Sequence, residues 1–175
     1  MSAMISTNAS ESVDSKLHNL SDKWVLYAHL PHDTNWDINS YIKILEFNSV
    51  EELVSLISEL KENVVKNCML FIMRHNIKPI WEDKNNKNGG SFSFKINNKN
   101  VVSAWKNLSY AVMGNHITKD TSMFNHINGI TVSPKKTFCI MKIWMKNCDF
   151  QNPQKLSKIN GLSYQGCLFK KHYNN

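Results

Sequence analysis

Apolar residues recur along the chain in two rhythms, one of period two and one near 3.6, separated by polar stretches. KWVLYAHL, from Lys23, is rich in β-branched, aromatic and apolar residues and predicts a buried strand. PHDTNWD then brings Pro, Asp and Asn together, which predicts an exposed loop carrying Trp36. In NSVEELVSLISELKEN, Ser49 stands three residues before Glu52, the spacing of a capping box, and Val50, Leu53, Val54, Leu56, Ile57 and Leu60 follow at helical intervals. A helix is expected there, and its pattern alone turns Val50, Val54 and Ile57 toward a sheet. CMLFIM predicts a continuous apolar strand, and SFSFKI alternates strictly, as a half-buried strand does. Between them lies a polar loop, NIKPIWEDKNNKNGGSF, at residues 76–92. Val102, Trp105, Leu108, Ala111 and Val112 mark a second helix that can end at Gly114. GITVS and TFCIMKIWM read as strands joined at PKK, NPQKLSKING as a brief helix or turn, and LSYQGCLFKK as the last strand.

Strands joined by short turns, with helices too few to follow every strand, predict an α+β domain on an antiparallel sheet. The first 22 residues are small, polar and aperiodic, so residues 1–22 are expected to be a flexible tail and 23–175 one domain. No internal repeat is visible.

Composition narrows the function classes. Subtracting 14 acidic from 21 basic residues gives +7, enough to attract nucleic acid or an anionic membrane surface. No apolar run approaches the roughly 18 residues that span a bilayer. Cys68, Cys139, Cys148 and Cys167 form no C-x-x-C pair and follow no signal peptide, which points to a reduced compartment and to cysteines packed as small hydrophobes. No His stands at zinc-ligand spacing from them. His29, His32, His75, His116, His126 and His172 form no catalytic grouping and are expected at the surface or at strand edges. No catalytic residue, metal site or cofactor is expected.

The tryptophans carry the chemistry. Trp24 and Trp105 fit core positions, whereas Trp36 and Trp81 sit in polar loops and Trp144 ends a strand. An indole in a loop can fill an apolar gap, but it is also suited to stacking on an unpaired base. Glu82, beside Trp81, can accept two parallel hydrogen bonds from adjacent N–H and NH₂ groups, and guanine has that edge. A guanine methylated at N7 is cationic and gains a further attraction to indole faces.

KPIWEDKNNKNGG resembles the P-x-W-E-D-x-x-N-x-x-G-G signature of translation initiation factor 4E, the family that binds the 5′ cap of eukaryotic messenger RNA. KWVLYAH resembles that family's first strand, TNWD its first stacking loop, FNSVEELVSLI its first dorsal helix and IWMKNC its later I-W-x-x-x-C strand. These run in family order from Lys23 to Cys148. The resemblance implies a curved antiparallel sheet backed by about three helices on its convex face, with the cap on the concave side. It implies 7-methylguanine held between Trp36 and Trp81, and Glu82 reading N1–H and the exocyclic amine while its backbone N–H reaches O6. Trp144 would touch the N7-methyl group. For the phosphates the family uses an Arg and a Lys between the fifth and sixth strands. Here the segment reads about two residues longer, with Ser133 where that Arg would fall and Lys135, Lys136 and Lys142 as candidates. Two-residue alternation sets Lys142 on the face of Trp144.

The partner surface departs from the pattern. The family's apolar dorsal patch, which takes a Y-x-x-x-x-L-Φ helix of scaffolds and repressors, becomes Val50, Val54, Lys106 and Tyr110 here. The expected function is therefore binding of the 7-methylguanosine cap of mRNA in translation initiation by a divergent, monomeric, cytoplasmic family member. A viral or parasite member in a host cytoplasm also fits the Asn-, Lys- and Ile-rich composition. The alternatives are a cap-holding repressor that recruits no scaffold and a general single-stranded RNA-binding module. A cap-hydrolysing enzyme, with Mg²⁺ on Glu82 and Asp83, lacks the clustered glutamates such chemistry needs.

Overall fold

A computed structural model describes residues 17–173; residues 1–16 of the expected tail lie outside them. The strands are β1 (Asn19–His29), β2 (Tyr41–Ser49), β3 (Met69–Arg74), β4 (Gly90–Asn97), β5 (Ile127–Pro134), β6 (Phe138–Met145) and β7 (Leu168–Lys171). The helices are α1 (Val50–Glu59), α2 (Glu62–Asn67), α3 (Val101–Met113) and α4 (Thr121–Phe124). All neighbouring strands are antiparallel, and they form one sheet in the order β2-β1-β3-β5-β6-β4-β7. Irregular register between β1 and β2 adds to the ordinary twist and curves that edge. The α+β architecture is the one the sequence predicts. Among the described residues no helix is long and apolar enough to cross a membrane.

The core lies between the helices and one face of the sheet. Period-two alternation sends Leu70 and Ile72 of β3, and Met141, Ile143 and Met145 of β6, into the main core with Trp24, Phe47, Trp105 and Leu108. Phe71, Met73 and Trp144 take the other face, where they form a small cluster of their own. With both faces covered, β3 reads as a continuous apolar run, which is why CMLFIM does not alternate.

The capping box of α1 forms as its spacing predicts: the Glu52 N–H donates to Ser49 Oγ at 3.3 Å and the Ser49 N–H to Glu52 Oε2 at 3.0 Å. Gly114 is the C-cap of α3. Val50 and Val54, however, are exposed while Leu53 and Ile57 are buried, which corrects the sheet-facing reading of the two valines. Helix α1 meets the sheet mainly at β2, so a narrower stripe suffices to bury it.

Several elements depart from the apolar pattern. β1 begins at Asn19, four residues before Lys23, because these polar residues are tied by backbone groups: the Val50 N–H donates to the His18 carbonyl at 2.8 Å, and Asn19 pairs with Ser49. β2 is an edge strand with Ile42, Ile44 and Leu45 all exposed, so its sequence shows no clean alternation. α2 and α4 have six and four residues, too few to display a helical period. β7 starts at Leu168 instead of Leu162, since Gly161 and Gly166 adopt positive φ and break the preceding segment into turns.

Candidate functional site

Two loops project over the concave face. The first joins β1 to β2 and carries Trp36, which is 55% exposed. Asn35 and Asp33 shape it through Asx turns: the Asn35 N–H donates to Asp33 Oδ1 at 2.8 Å and the Asp37 N–H to Asn35 Oδ1 at 2.9 Å. Behind it, the His29 ring lies parallel to the Trp36 indole, with centroids 4.2 Å apart, and its Nε2 is 2.8 Å from the Asn35 carbonyl oxygen. His29 is buried, not at the surface as its place in the sequence suggests, because it shares the concave face with Tyr27 and is covered there by Trp36 and Tyr41.

The second loop joins β3 to β4 and carries Trp81, 49% exposed, and Glu82. Asp83 is taken up by the loop itself: its carboxylate accepts from the Lys78 N–H at 3.1 Å and the Asn85 N–H at 2.8 Å. Asn86 is fully buried, and its Nδ2 donates to the carbonyls of Lys78 and Ile80, both at 2.9 Å. A second buried amide, Asn128 of β5, donates to the Asn85 carbonyl at 2.8 Å and to Asn86 Oδ1 at 2.9 Å. The chain end adds a third support. His172 Nδ1 donates to the Asn86 carbonyl at 2.7 Å, and the His172 ring lies parallel to Trp81 and 4.8 Å from the Trp144 ring. Burial, with Lys142 nearby, holds the His172 imidazole below its usual pKa, so the ring is neutral and Nδ1 carries the proton. His172 is thus part of the site's support instead of a surface residue. The Gly-Gly pair closes the loop because a Cβ on Gly89 would stand 1.8 Å from the Met145 carbonyl oxygen.

Asn128 is the keystone of this loop. Replacing it by Ala leaves the Asn85 carbonyl and Asn86 Oδ1 without that donor, and buried polar groups so abandoned cost about 1–3 kcal/mol each. Asn128→Ala is expected to lower stability by about 2–3 kcal/mol in urea unfolding and to speed amide exchange across residues 78–89 more than elsewhere.

Trp36, Trp81, Glu82, Trp144, Lys135 and Lys142 all line one cavity of about 840 Å³. Trp144 forms its buried floor, where its Nε1–H donates to Thr131 Oγ1 at 2.7 Å. Glu82 faces Tyr41 across the opening: burial, and then the Glu82 carboxylate, push the Tyr41 phenol up to about 12. Lys142 and Trp144 share the concave face, and Lys142 Nζ lies 5.8 Å from the Trp81 ring centroid. Burial, and then the charges of Lys135 and Lys170, lower the Lys142 pKa. Such crowding of like charges is relieved by an anion.

Lys136 is not among the cavity residues; Lys95 and Lys170 are. For Lys95 a signal was present in the alternation of S-F-S-F-K, which sets it on the face of Ser91 and Ser93, whereas Lys170 arrives through its pairing with Ser91. Ser133 and Lys135, two residues apart on β5 and its hairpin, both reach the cavity, so a serine at the earlier position does not leave that edge without a cation. Among the described residues no cluster of three or more His, Cys, Asp or Glu could hold a metal ion. On the opposite side, Val50 and Val54 are exposed, Tyr110 is half-buried, and Lys106 Nζ lies 5.8 Å over the Tyr110 ring.

Comparison with known proteins shows the family and the fold. The family model described as eukaryotic initiation factor 4E matches residues 19–172. A homolog from Acanthamoeba polyphaga mimivirus is 34% identical over 97 residues, which cover 55% of this chain and 35% of that protein. The factor 4E of Eremothecium gossypii is 30% identical over 137 residues, 74% of this chain and 63% of that one. The chain thus spans about a third to two thirds of the length of these curated relatives. Among solved structures, eIF4E-3 of C. elegans in complex with the 4E-binding protein Mextli superposes with a TM-score of 0.68 at 19% identity, covering 76% of this chain and 78% of that one. Schistosome eIF4E complexed with m7GpppG and 4E-BP gives 0.68 at 20% identity, covering 76% and 74%. At such identities the structural likeness shows the fold. With the family model spanning nearly the whole described chain, the protein belongs to the eukaryotic initiation factor 4E family.

Proposed function

We propose that this chain binds the 7-methylguanosine 5′ cap of messenger RNA and acts in translation initiation. One observation carries the reading: two half-exposed indoles, from different loops, border the same cavity as a carboxylate at one end and lysines along its floor. A base entering between Trp36 and Trp81 stacks on two faces. Glu82 accepts hydrogen bonds from guanine N1–H and the exocyclic amine, and the neighbouring backbone N–H serves O6. The N7-methyl group meets Trp144, and the positive charge it confers on the ring strengthens the stacking. Lys135 and Lys142 take the phosphates; Lys136 is not among the residues lining the cavity. Binding of this kind needs no nucleophile, acid or metal, so the protein acts as a reader of the cap and not as an enzyme, in the cytoplasm.

The protein partner is a scaffold or repressor helix docking on Val50, Val54, Lys106 and Tyr110. Relatives are solved with Mextli and with 4E-BP, and the exposed valines favour an apolar partner here. Lys106 over Tyr110 gives this surface a charge, so its partner carries an acidic residue where it meets α3.

Retention of the full chain on a resin bearing 7-methyl-GTP tests the proposal. Elution by free 7-methyl-GTP but not by GTP supports it; equal elution by both shows a general nucleotide or RNA binder.

A further inference from the structure

We propose that His172, from outside the cavity, sets part of the site's preference for a cationic base: a proton on its Nε2 and a 7-methylated guanine exclude one another. The inference rests on the cap-binding reading and couples that binding to a proton.

Two contacts fix the imidazole. The His172 N–H donates to the Gly89 carbonyl at 3.0 Å and Nδ1 donates to the Asn86 carbonyl at 2.7 Å, so backbone and side chain both clamp the Trp81 loop. So held, the ring lies within 6° of the plane of the Trp81 ring, with centroids 6.3 Å apart, and 4.8 Å from the Trp144 ring. These are two of the three indoles assigned to the base. His172 is not among the residues lining the cavity, so it acts through those indoles and is a positioning residue. With the Nδ1 proton given to Asn86, Nε2 carries the lone pair. That atom is buried and, among the described residues, has no hydrogen-bond partner.

A proton arriving at Nε2 finds no acceptor and turns the ring into a cation in place. Lys142 of β6 is the charged group whose field reaches the ring, and its sign opposes a second positive charge. The β3–β4 loop supplies no compensating carboxylate: Asp83 is bonded to the N–H groups of Lys78 and Asn85, and Glu82 faces Tyr41 across the cavity opening. Lys84 and Lys87 of that loop, and Lys170 and Lys171 of β7, are positive as well. A protonated His172 and a methylated base would draw on the same indoles, Trp81 and Trp144, and repel each other. Linkage makes the effect reciprocal: the bound cation lowers the proton affinity of the imidazole, and acid lowers the affinity for the cation. Unmethylated guanine carries no ring charge and escapes this antagonism. Selectivity for the methylated base therefore falls as pH falls through the titration of His172, which burial and Lys142 place below the usual histidine value.

The test measures the affinities of 7-methyl-GTP and GTP at pH 7 and pH 5 on wild type and on His172→Asn, whose side-chain amide offers Asn86 a donor at the Nδ1 position and takes up no proton. The ratio of the two affinities cancels titration of the phosphates, and dividing the wild-type ratio by the variant ratio cancels titration of the methylated base and of Glu82. The wild-type preference for the methylated ligand is expected to fall about threefold or more between the two pH values relative to the variant. NMR titration of the wild-type imidazole reads the same coupling without a mutation: the His172 midpoint lies lower with 7-methyl-GTP bound than with GTP bound. An equal midpoint with either ligand, or an equal change of preference in both proteins, with selective binding of 7-methyl-GTP intact at pH 7, overturns the inference alone. Wild type that does not distinguish 7-methyl-GTP from GTP at pH 7 overturns the cap reading and the inference with it.

Discussion

Trp81→Ala is expected to weaken 7-methyl-GTP binding by about 2–4 kcal/mol, roughly 30- to 1,000-fold, while the folded chain melts near the wild-type temperature. Two contributions add: stacking of the base on the indole, and the attraction between the methylated, cationic ring and the indole face. Stability is spared because half of the Trp81 surface already faces solvent and the loop is held by Asn86, Asn128 and His172. Titration of the variant, with a thermal melt beside it, separates the two effects. A fall in affinity matched by a collapse in melting temperature would mean that Trp81 packs the loop instead of the ligand.

Glu82→Gln is expected to cost about as much, at least 100-fold in 7-methyl-GTP affinity. The amide offers one acceptor where guanine presents two donors, and its own NH₂ meets one of those donors head on. The lost negative charge also removes a partner for the cationic ring. Selectivity for guanine over other bases falls with it, since the base edge is no longer read. The same substitution has an independent signature: with the carboxylate gone, the Tyr41 phenol moves down from about 12, which ultraviolet titration follows directly. A large loss of affinity with no movement of Tyr41 would place Glu82 away from the cavity mouth.

How far the sequence discloses all this depends on whether a feature is local. The capping box of α1 and the 3.6-residue spacing of α3 are written within a dozen residues, and both form. So do the alternation of β4 and the apolar run of β3. β2 is not written locally: its partner β1 holds one edge and, among the described residues, no strand pairs with the other, so exposed Ile42, Ile44 and Leu45 blur its period. The stacking candidates are legible because a tryptophan in a polar loop breaks the expected pattern. Lys95 and Lys170 are less so, since only cross-strand register brings Lys95 opposite Ile140 and Lys170 opposite Ser91.

The supporting residues were the least legible. His29 sits two residues after Tyr27, and His172 two after Lys170, so period-two alternation was their available signal. Asn128 gave another, a polar side chain inside an apolar strand, which has to find a partner when buried. Its partner, Asn86, is 42 residues away. The same distance problem explains α1: helical spacing alone turns Val50 and Val54 inward, and the tertiary fact that α1 packs mainly on the edge strand β2 leaves them outside.

Selection of the methylated, cationic base is the central claim, and tryptophan-fluorescence titration of the wild-type chain with 7-methyl-GTP and with GTP, at one salt concentration, tests it most directly. The methylated ligand is predicted to quench the emission strongly and to bind at least about thirtyfold tighter, the equivalent of roughly 2 kcal/mol of cation–indole attraction. Equal binding and equal quenching by both ligands would contradict the account.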